Sequence, residues 1–363
     1  MKVPFLDLKK QYKSIKPFID KRIQNVINSQ QFINGKQVKE FERRFANLVN
    51  KKYCVAVGNG TDGLFLTYKA YGMNCGWNVL SVPNTFIATT ETISATGANL
   101  YFTDVKEDGL IDVSKFSKDR IISAVVPVHL YGNPCDMDEI FEFARKNEAI
   151  VIEDCAQAHL AEYAYQKVPL SETGVFSFFP GKNIGSFGDS GAVVTNNKEI
   201  AEKIAMLRDH GRNEKYKSQF EGYNSRMDEL QAAVLIAKLK FIKGWTLKRQ
   251  KHAKTYTDLI ADYNLPIIPP SLDLGKTHVF HLYVIRCKER EKLRAYLMNK
   301  GIQTGIHYPY PLHKQDAYKR FSNEKYPVAE QLSKEILSLP MFPELKDEQI
   351  KYVVDNIRGF YKC

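Results

Sequence analysis

Between residues 50 and 195 the chain alternates short apolar runs with stretches of helical length. The runs are YCVAV, VLSV, NLYFTDV, IISAVVPV, AIVIED, VFSFF and GAVVT. Runs that are apolar at successive positions suit strands covered on both faces, and their alternation with helical segments makes neighbouring strands mostly parallel. The pattern therefore predicts an α/β domain with a sheet between helices. Helical periodicity carries the chain from about 198 to 262, most clearly in MDELQAAVLIAKLKFIKGW, where apolar residues recur every three or four positions. The proline-rich stretch YNLPIIPPSLDLG breaks it. Beyond lie a predicted strand in HVFHLYVIRC and predicted helices near 289–300, 326–337 and 346–358. Two domains are expected: a large α/β domain over 1–245 and a smaller C-terminal α+β domain over 246–363.

Composition removes several function classes. No apolar run approaches the roughly 20 residues of a spanning helix. The opening MKVPFLDLKKQY is charged throughout, unlike a secretory signal, so a cytoplasmic protein away from the membrane is expected. Cys54, Cys75, Cys135, Cys155, Cys287 and Cys363 include no Cys-x-x-Cys pair, which argues against structural zinc and for free thiols. His278 and His281 look like a chelate, but on a strand residues three apart face opposite ways. No metal is expected. The net charge of +11, from 52 basic and 41 acidic side chains, is compatible with nucleic acid, an anionic small substrate or a lysine-rich surface. No basic run with interleaved aromatics, zinc finger or helix-turn-helix pattern is present, so nucleic acid is not an expected partner. A nucleotide-bearing substrate fits the charge equally well.

Three constellations carry chemistry. The loop SFFPGKNIGSFGDSGAVV, Ser177 to Val194, places Gly181 and Lys182 as a P-loop would. The rest of that motif is missing, because Phe176 stands where the first glycine belongs and Asn183 where a Ser or Thr would hold magnesium. In VGNGTDGLFL, Gly58, Gly60 and Gly63 match a dinucleotide fingerprint, yet no carboxylate follows about 20 residues on to grip a ribose. What remains is a helix N-terminus able to hold one phosphate, with Thr61 as a hydroxyl donor, or a plain turn with Thr61 or Asp62 as the helix cap. In AIVIEDCAQAH a predicted strand ends in Glu153 and Asp154, two carboxylates on opposite faces at the ligand-binding edge of the sheet. One of them can cap a following helix and the other can hold a buried cation. A phosphate cradle, a strand-end aspartate and a glycine-flanked lysine, in that order, meet the needs of pyridoxal phosphate: N–H groups for its phosphate, a carboxylate for its pyridine nitrogen, an amine for its aldehyde.

Over nearly its whole length the chain resembles the DegT-type nucleotide-sugar aminotransferases, which are fold-type-I pyridoxal phosphate enzymes. The resemblance rests on VPFLDLKKQY, GNGTDGL, PNTFIATTETISATGA, PVHLYG, EDCAQAH, SFFPGKNIGSFGDSGAVVT, YNSRMDELQAAVL, HLYVIR and GIHYPYPLH. It implies a seven-stranded, mostly parallel sheet in the large domain. It implies that Lys182 forms the internal aldimine and shuttles the proton, that Asp154 pairs with the pyridinium, and that Gln157 bonds the ring hydroxyl. Phe86 would stack on the ring. Gly60, Thr61 and Ser177 would hold the phosphate, helped by Asn224 from the neighbouring subunit of a homodimer. His307, Tyr308 and His313 would line the sugar and nucleotide pocket. Lys182 marks a transaminase, since deoxygenating relatives put histidine there. L-glutamate would give its nitrogen to form pyridoxamine phosphate, which then aminates a keto-sugar. FPGKN, NSR and HYPYPLH are similar to members acting on the 3-keto position of dTDP-6-deoxyhexoses; amination at a 4-keto position is the alternative, and a non-catalytic regulator on the same scaffold a more distant one. Leu160 and Ser190 stand where the family usually has glycine, and Cys75 to Asn78 replaces a more acidic turn.

Overall fold

The computed structural model describes residues 1–116, 120–271 and 273–362. Its centre is a seven-stranded sheet: β1 Tyr53–Val57, β2 Asn78–Ser81, β3 Asn99–Phe102, β4 Ala124–Val125, β5 Ile150–Asp154, β6 Thr173–Ser177 and β7 Gly191–Thr195. The spatial order is β1-β7-β6-β5-β4-β2-β3. β7 runs antiparallel to both of its neighbours, and every other pairing is parallel. All seven predicted runs contain a strand of the sheet, although IISAVVPV contributes only two residues to it.

Period-two alternation sends successive side chains of each strand into different cores. Val55, Val57, Val175 and Val193 join the apolar cluster on one face, while Cys54, Ala56, Phe176, Ala192 and Val194 join the other. Both faces are covered, which explains why the runs are apolar at successive positions. The helices that cover them follow from their own spacing. α1 (Leu8–Ser29) and α2 (Lys36–Leu48) fill the first fifty residues, with no strand–helix alternation to announce them. α2 buries Val38, Phe41, Phe45 and Ala46 along one face. Its first turn is held by a side chain far along the chain: buried Glu229 accepts hydrogen bonds from the backbone N–H groups of Gly35 (2.7 Å), Gln37 (2.8 Å) and Val38 (3.0 Å). α3 (Gly60–Ala70), α4 (Ala88–Ala95) and α5 (Met137–Asn147) connect the parallel strands.

After the sheet come α6 (Lys198–Leu207), α7 (Glu229–Leu239) and α8 (Ile242–Asp262). A small ribbon, Arg212–Glu214 paired with Lys217–Ser218, interrupts the helical stretch expected between 198 and 262. α8 spans the boundary expected at residue 245. The tail pairs β8 (Tyr283–Arg286) antiparallel with β9 (Ile336–Leu339) and packs α9 (Arg290–Asn299), α10 (Pro327–Glu335) and α11 (Asp347–Lys362) around them. Val3 is buried in this same core and forms a parallel bridge with Ile302.

Three local expectations are corrected. The cap of α3 is Asn59, whose side chain accepts from the N–H of Asp62 at 2.8 Å, and neither Thr61 nor Asp62 plays that part. Neither Glu153 nor Asp154 caps a helix, because residues 155–160 form turns. His278 and His281 lie before the strand rather than on it, and Phe280 between them has a left-handed φ of 45°. Leu160 has φ 69°, a conformation that favours glycine, and its side chain is buried in the second apolar cluster. Cys54, Cys75, Cys135, Cys155 and Cys287 are free thiols, and Cys363 lies outside the described residues. Among the described residues no helix is long and apolar enough to cross a membrane.

Candidate active site

The carboxyl edge of the parallel strands gathers most of the expected residues. α3 starts there, with Gly60 and Thr61 in its first turn. A methyl group on Gly60 would lie 2.8 Å from Ser177 Cβ, and one on Gly191 would lie 2.3 Å from the Asn59 carbonyl oxygen. Glycine at both positions lets the start of α3 lie against the end of β6 and the start of β7. Ser177 therefore faces the N-terminus of α3, where free N–H groups and the helix dipole favour an anion. On the other side Ser225 ties the entrance together: its Oγ accepts from Gly58 N at 3.1 Å and donates to Asp62 Oδ2 at 2.7 Å.

The glycine-rich loop curls back on itself after β6. Lys182 N donates to Phe179 O at 2.9 Å and Ser186 N to Phe178 O at 2.7 Å. A side chain on Gly185 would strike the Pro180 carbonyl at 2.3 Å. The buried Lys238 ammonium donates to Gly185 O at 2.5 Å and fixes the far side of the loop. Lys182 is thereby held partly buried at the sheet edge, and among the described residues its Nζ has no hydrogen-bond partner. Burial lowers its pKa to about 8, against the opposing pull of the Asp154 carboxylate. Desolvation wins because Asp154 attracts the ammonium without bonding it.

Asp154, at the end of β5, is buried. Its Oδ2 accepts from Thr89 Oγ1 at 2.8 Å and its Oδ1 from Ala156 N at 3.0 Å. Burial raises its pKa, while the Ala156 N–H, Thr89 and Lys182 pull it down. Gln157 Oε1 accepts from Tyr131 N at 2.8 Å, and its Nε2 donates to Tyr308 Oη at 3.3 Å. Phe86 is 54% exposed and leans over Tyr308 with ring centroids 6.0 Å apart. His307 stacks on Phe5 and its Nδ1 lies 2.9 Å from Ser338 Oγ. Burial and the nearby Lys182 charge lower its pKa to about 4. Burial and the same charge hold His281 well below the usual imidazole range.

Gly60, Thr61, Ser177, Lys182, Asp154, Gln157, Phe86, His307 and Tyr308 thus converge from five separate stretches of sequence. Two expected residues stand apart. Asn224 is exposed, with its backbone paired to Asp209, one residue from the Ser225 tie. His313 is wholly buried, with Nε2 2.9 Å from Glu330 Oε1 and its ring edge-on to Tyr326. Sequence reasoning singled out neither Thr89 nor Tyr131 and weighed His281 only as half of a chelate, although all three lie inside distinctive strings, PNTFIATT, PVHLYG and HLYVIR.

A sequence pattern described as the DegT/DnrJ/EryC1/StrS aminotransferase family matches residues 13–358. A relative from Aneurinibacillus thermoaerophilus, a dTDP-3-amino-3,6-dideoxy-alpha-D-galactopyranose transaminase, is 41% identical over 364 residues, 99% of each chain. A Geobacillus stearothermophilus relative named pleiotropic regulatory protein is 40% identical over 373 residues, 100% of this chain and 99% of its own. Among solved structures, S. venezuelae DesV in complex with a ketimine intermediate superposes with a TM-score of 0.96 at 37% identity, covering 100% of this chain and 99% of that one.

Proposed function

The chain belongs to the DegT/DnrJ/EryC1/StrS aminotransferase family, and from that premise we propose that it transfers the amino group of L-glutamate to the 3-keto carbon of a dTDP-linked 3-keto-6-deoxyhexose, using pyridoxal phosphate. The product would be a dTDP-3-amino-3,6-dideoxyhexose for surface glycan synthesis. The observation that carries this reading is Lys182. Among the described residues it is an amine without a hydrogen-bond partner, at the edge of the mixed sheet, lowered to about pKa 8 by burial and attracted by the buried Asp154 carboxylate. The relative from A. thermoaerophilus, named for a dTDP-3-amino sugar, supports the position of amination.

The residues present fit the cofactor. Gly60 leaves open the space in front of Ser177 that a side chain would fill, and Gly60, Thr61 and Ser177 are the donors for a phosphate. Asp154, oriented by Thr89 and Ala156, would accept from a protonated ring nitrogen; Gln157 would bond the ring hydroxyl; Phe86 would cover the ring. Pyridoxal phosphate, when bound, supplies an aldehyde that exchanges oxygen for nitrogen and a ring that stabilises the carbanion left by proton removal. Lys182 would hold the cofactor at that aldehyde, and its Nζ is the base that would move a proton between carbon atoms. His307 and Tyr308 would line the sugar and nucleotide, with His313 in the same segment.

A homodimer with shared sites belongs to the same reading. Phe18 and Ile27 of α1, together with Phe32, Ile33 and Phe187 beside it, are exposed large apolar side chains, as a subunit interface requires. Asn224, exposed in this chain, is assigned in this reading to the neighbouring subunit's site. The division into domains 1–245 and 246–363 is supported by the third apolar cluster, whose buried members apart from Val3 come from 253–357. The relative named for regulation shares the scaffold; retention of Lys182 and Asp154 here favours turnover.

The test is borohydride reduction of protein supplied with pyridoxal phosphate, followed by peptide mass spectrometry and by product analysis with 3-keto and 4-keto dTDP-sugars. A reduced adduct on Lys182, absent from Lys182→Ala, and a 3-amino product are expected. A 4-amino product would overturn the position, and no adduct would overturn the enzyme.

A further inference from the structure

Glu153, the strand-end carboxylate beside Asp154, takes no part in the site just described. We propose that the buried His129–Glu153 pair is a positioning element that fixes the turn His129–Gly132, so that Tyr131 orients Gln157 and anchors the carbonyl of His307. The significance of those two residues rests on the proposed function.

His129 and Glu153 are both fully buried, with His129 Nε2 2.7 Å from Glu153 Oε2. The tautomer follows from the neighbours. Cys135 N–H donates to His129 Nδ1 at 3.0 Å, so the ring proton sits on Nε2 and points at the carboxylate. The other carboxylate oxygen accepts from Ser171 N. Lys51, whose ammonium donates to Ser171 O at 2.6 Å, supplies the compensating positive charge. His129, Glu153 and Cys155 bring potential ligand atoms within 4.8 Å of one another, but an Nε2 that carries a proton offers no lone pair to a cation. What the pair can do is hold a shape.

That shape is an uncommon one. Tyr131 has φ 60° and ψ 0°, and Gly132 has φ 94°. A tyrosine in this left-handed region persists only where its surroundings hold it. Here His129 is clamped by backbone as well as ring: its N–H donates to Asp154 O at 3.1 Å, and Asp154 N–H donates to Pro127 O at 2.9 Å. The turn then reaches in two directions. Tyr131 N–H donates to Gln157 Oε1, and Gln157 Nε2 passes the contact to Tyr308. The Tyr131 hydroxyl donates to the His307 carbonyl. A buried pair on the far side of β5 from Asp154 thereby sets a residue expected at the cofactor ring and a residue expected at the sugar.

The experiment compares wild type with His129→Leu, which removes both ring contacts, and His129→Gln, which keeps a donor toward Glu153. Crystal structures of the cofactor-free proteins and the dissociation constant of added pyridoxal phosphate are the two readouts, with KM for the keto-sugar as a third. In His129→Leu the Tyr131–Gln157 hydrogen bond is expected to be lost and the dissociation constant to rise about tenfold, the scale seen when a residue behind a ligand is removed. His129→Gln should recover a substantial part of both. An unmoved Gln157, or cofactor affinity within twofold of wild type in folded His129→Leu, overturns the proposal; a loss of thermal stability alone would mark the pair as packing. If His129→Leu does not fold, Glu153→Gln, which turns an amide N–H toward one of two donors, carries the same readouts. Wild type that binds no cofactor would refute the proposed function while leaving the crystallographic comparison to judge the pair.

Discussion

At the scale of single residues, the decisive property is the protonation of Lys182. A free lysine amine titrates near 10.4 and at neutral pH is almost wholly charged; here burial brings the value to about 8. At pH 7 roughly one molecule in ten then carries the neutral, nucleophilic amine. The Asp154 carboxylate works the other way, favouring the ammonium. Competitive acetylation of the cofactor-free protein, read at the Lys182 peptide, should therefore rise with pH and reach half its maximum near pH 8. In Asp154→Asn the attraction is gone and the midpoint should move lower. A midpoint near 10 in wild type, or an upward move in the variant, would contradict this account.

At the scale of elements, Glu229 shows how a helix is placed by chemistry distant in sequence. α2 begins with no acidic residue in its first turn, and its N-terminal N–H groups are satisfied by a carboxylate at the start of α7. Glu229→Gln keeps the shape but can offer only one oxygen, so at least one buried donor loses its partner. A cost of about 2 kcal/mol is expected from the loss of charge-assisted bonds to buried N–H groups, measured as a lowered urea midpoint with unchanged slope. This contact also shows what could be read in advance. The seven strands were legible because both faces of the sheet are buried, and burial leaves an apolar signature. Gly60, Asp154 and Lys182 stood out in the sequence because each has a chemically distinctive setting. Glu229 reads as an ordinary charged helix residue until residues 35–38 arrive beside it. The enclosure of His313 by Glu330 and Tyr326 was not legible, because both partners arrive from a later segment. The clamp around Tyr131 depends on φ values that no pattern of apolar and polar residues reports.

At the scale of the whole molecule, several imidazoles are sealed in their neutral form. Burial lowers His278 to about 3, burial and the Lys182 charge lower His159 to about 3, and the same two causes lower His307 to about 4. The unfolded chain protonates these rings near 6.5, whereas the folded chain does not until pH 3 to 4, so the unfolded state binds more protons in between. Stability contributed by the neutral rings is present above pH 6.5 and is lost as pH falls toward 4. The thermal midpoint of the cofactor-free protein should begin to fall near pH 6.5, before the range in which ordinary carboxylates titrate. His278→Asn, which retains an acceptor for the Phe280 N–H, should make the fall shallower.

The bridge between Val3 and Ile302, closed by Val3 N to Gly301 O at 2.9 Å and Gln303 N to Val3 O at 3.0 Å, bears on the order of events during synthesis. A ribosome releases Val3 long before the segment it pairs with exists, so this stitch can close only after the central sheet has had time to assemble. The C-terminal core is then finished by a residue made long before it, and a nascent chain stalled short of residue 300 should leave Val3 open to proteases and chaperones.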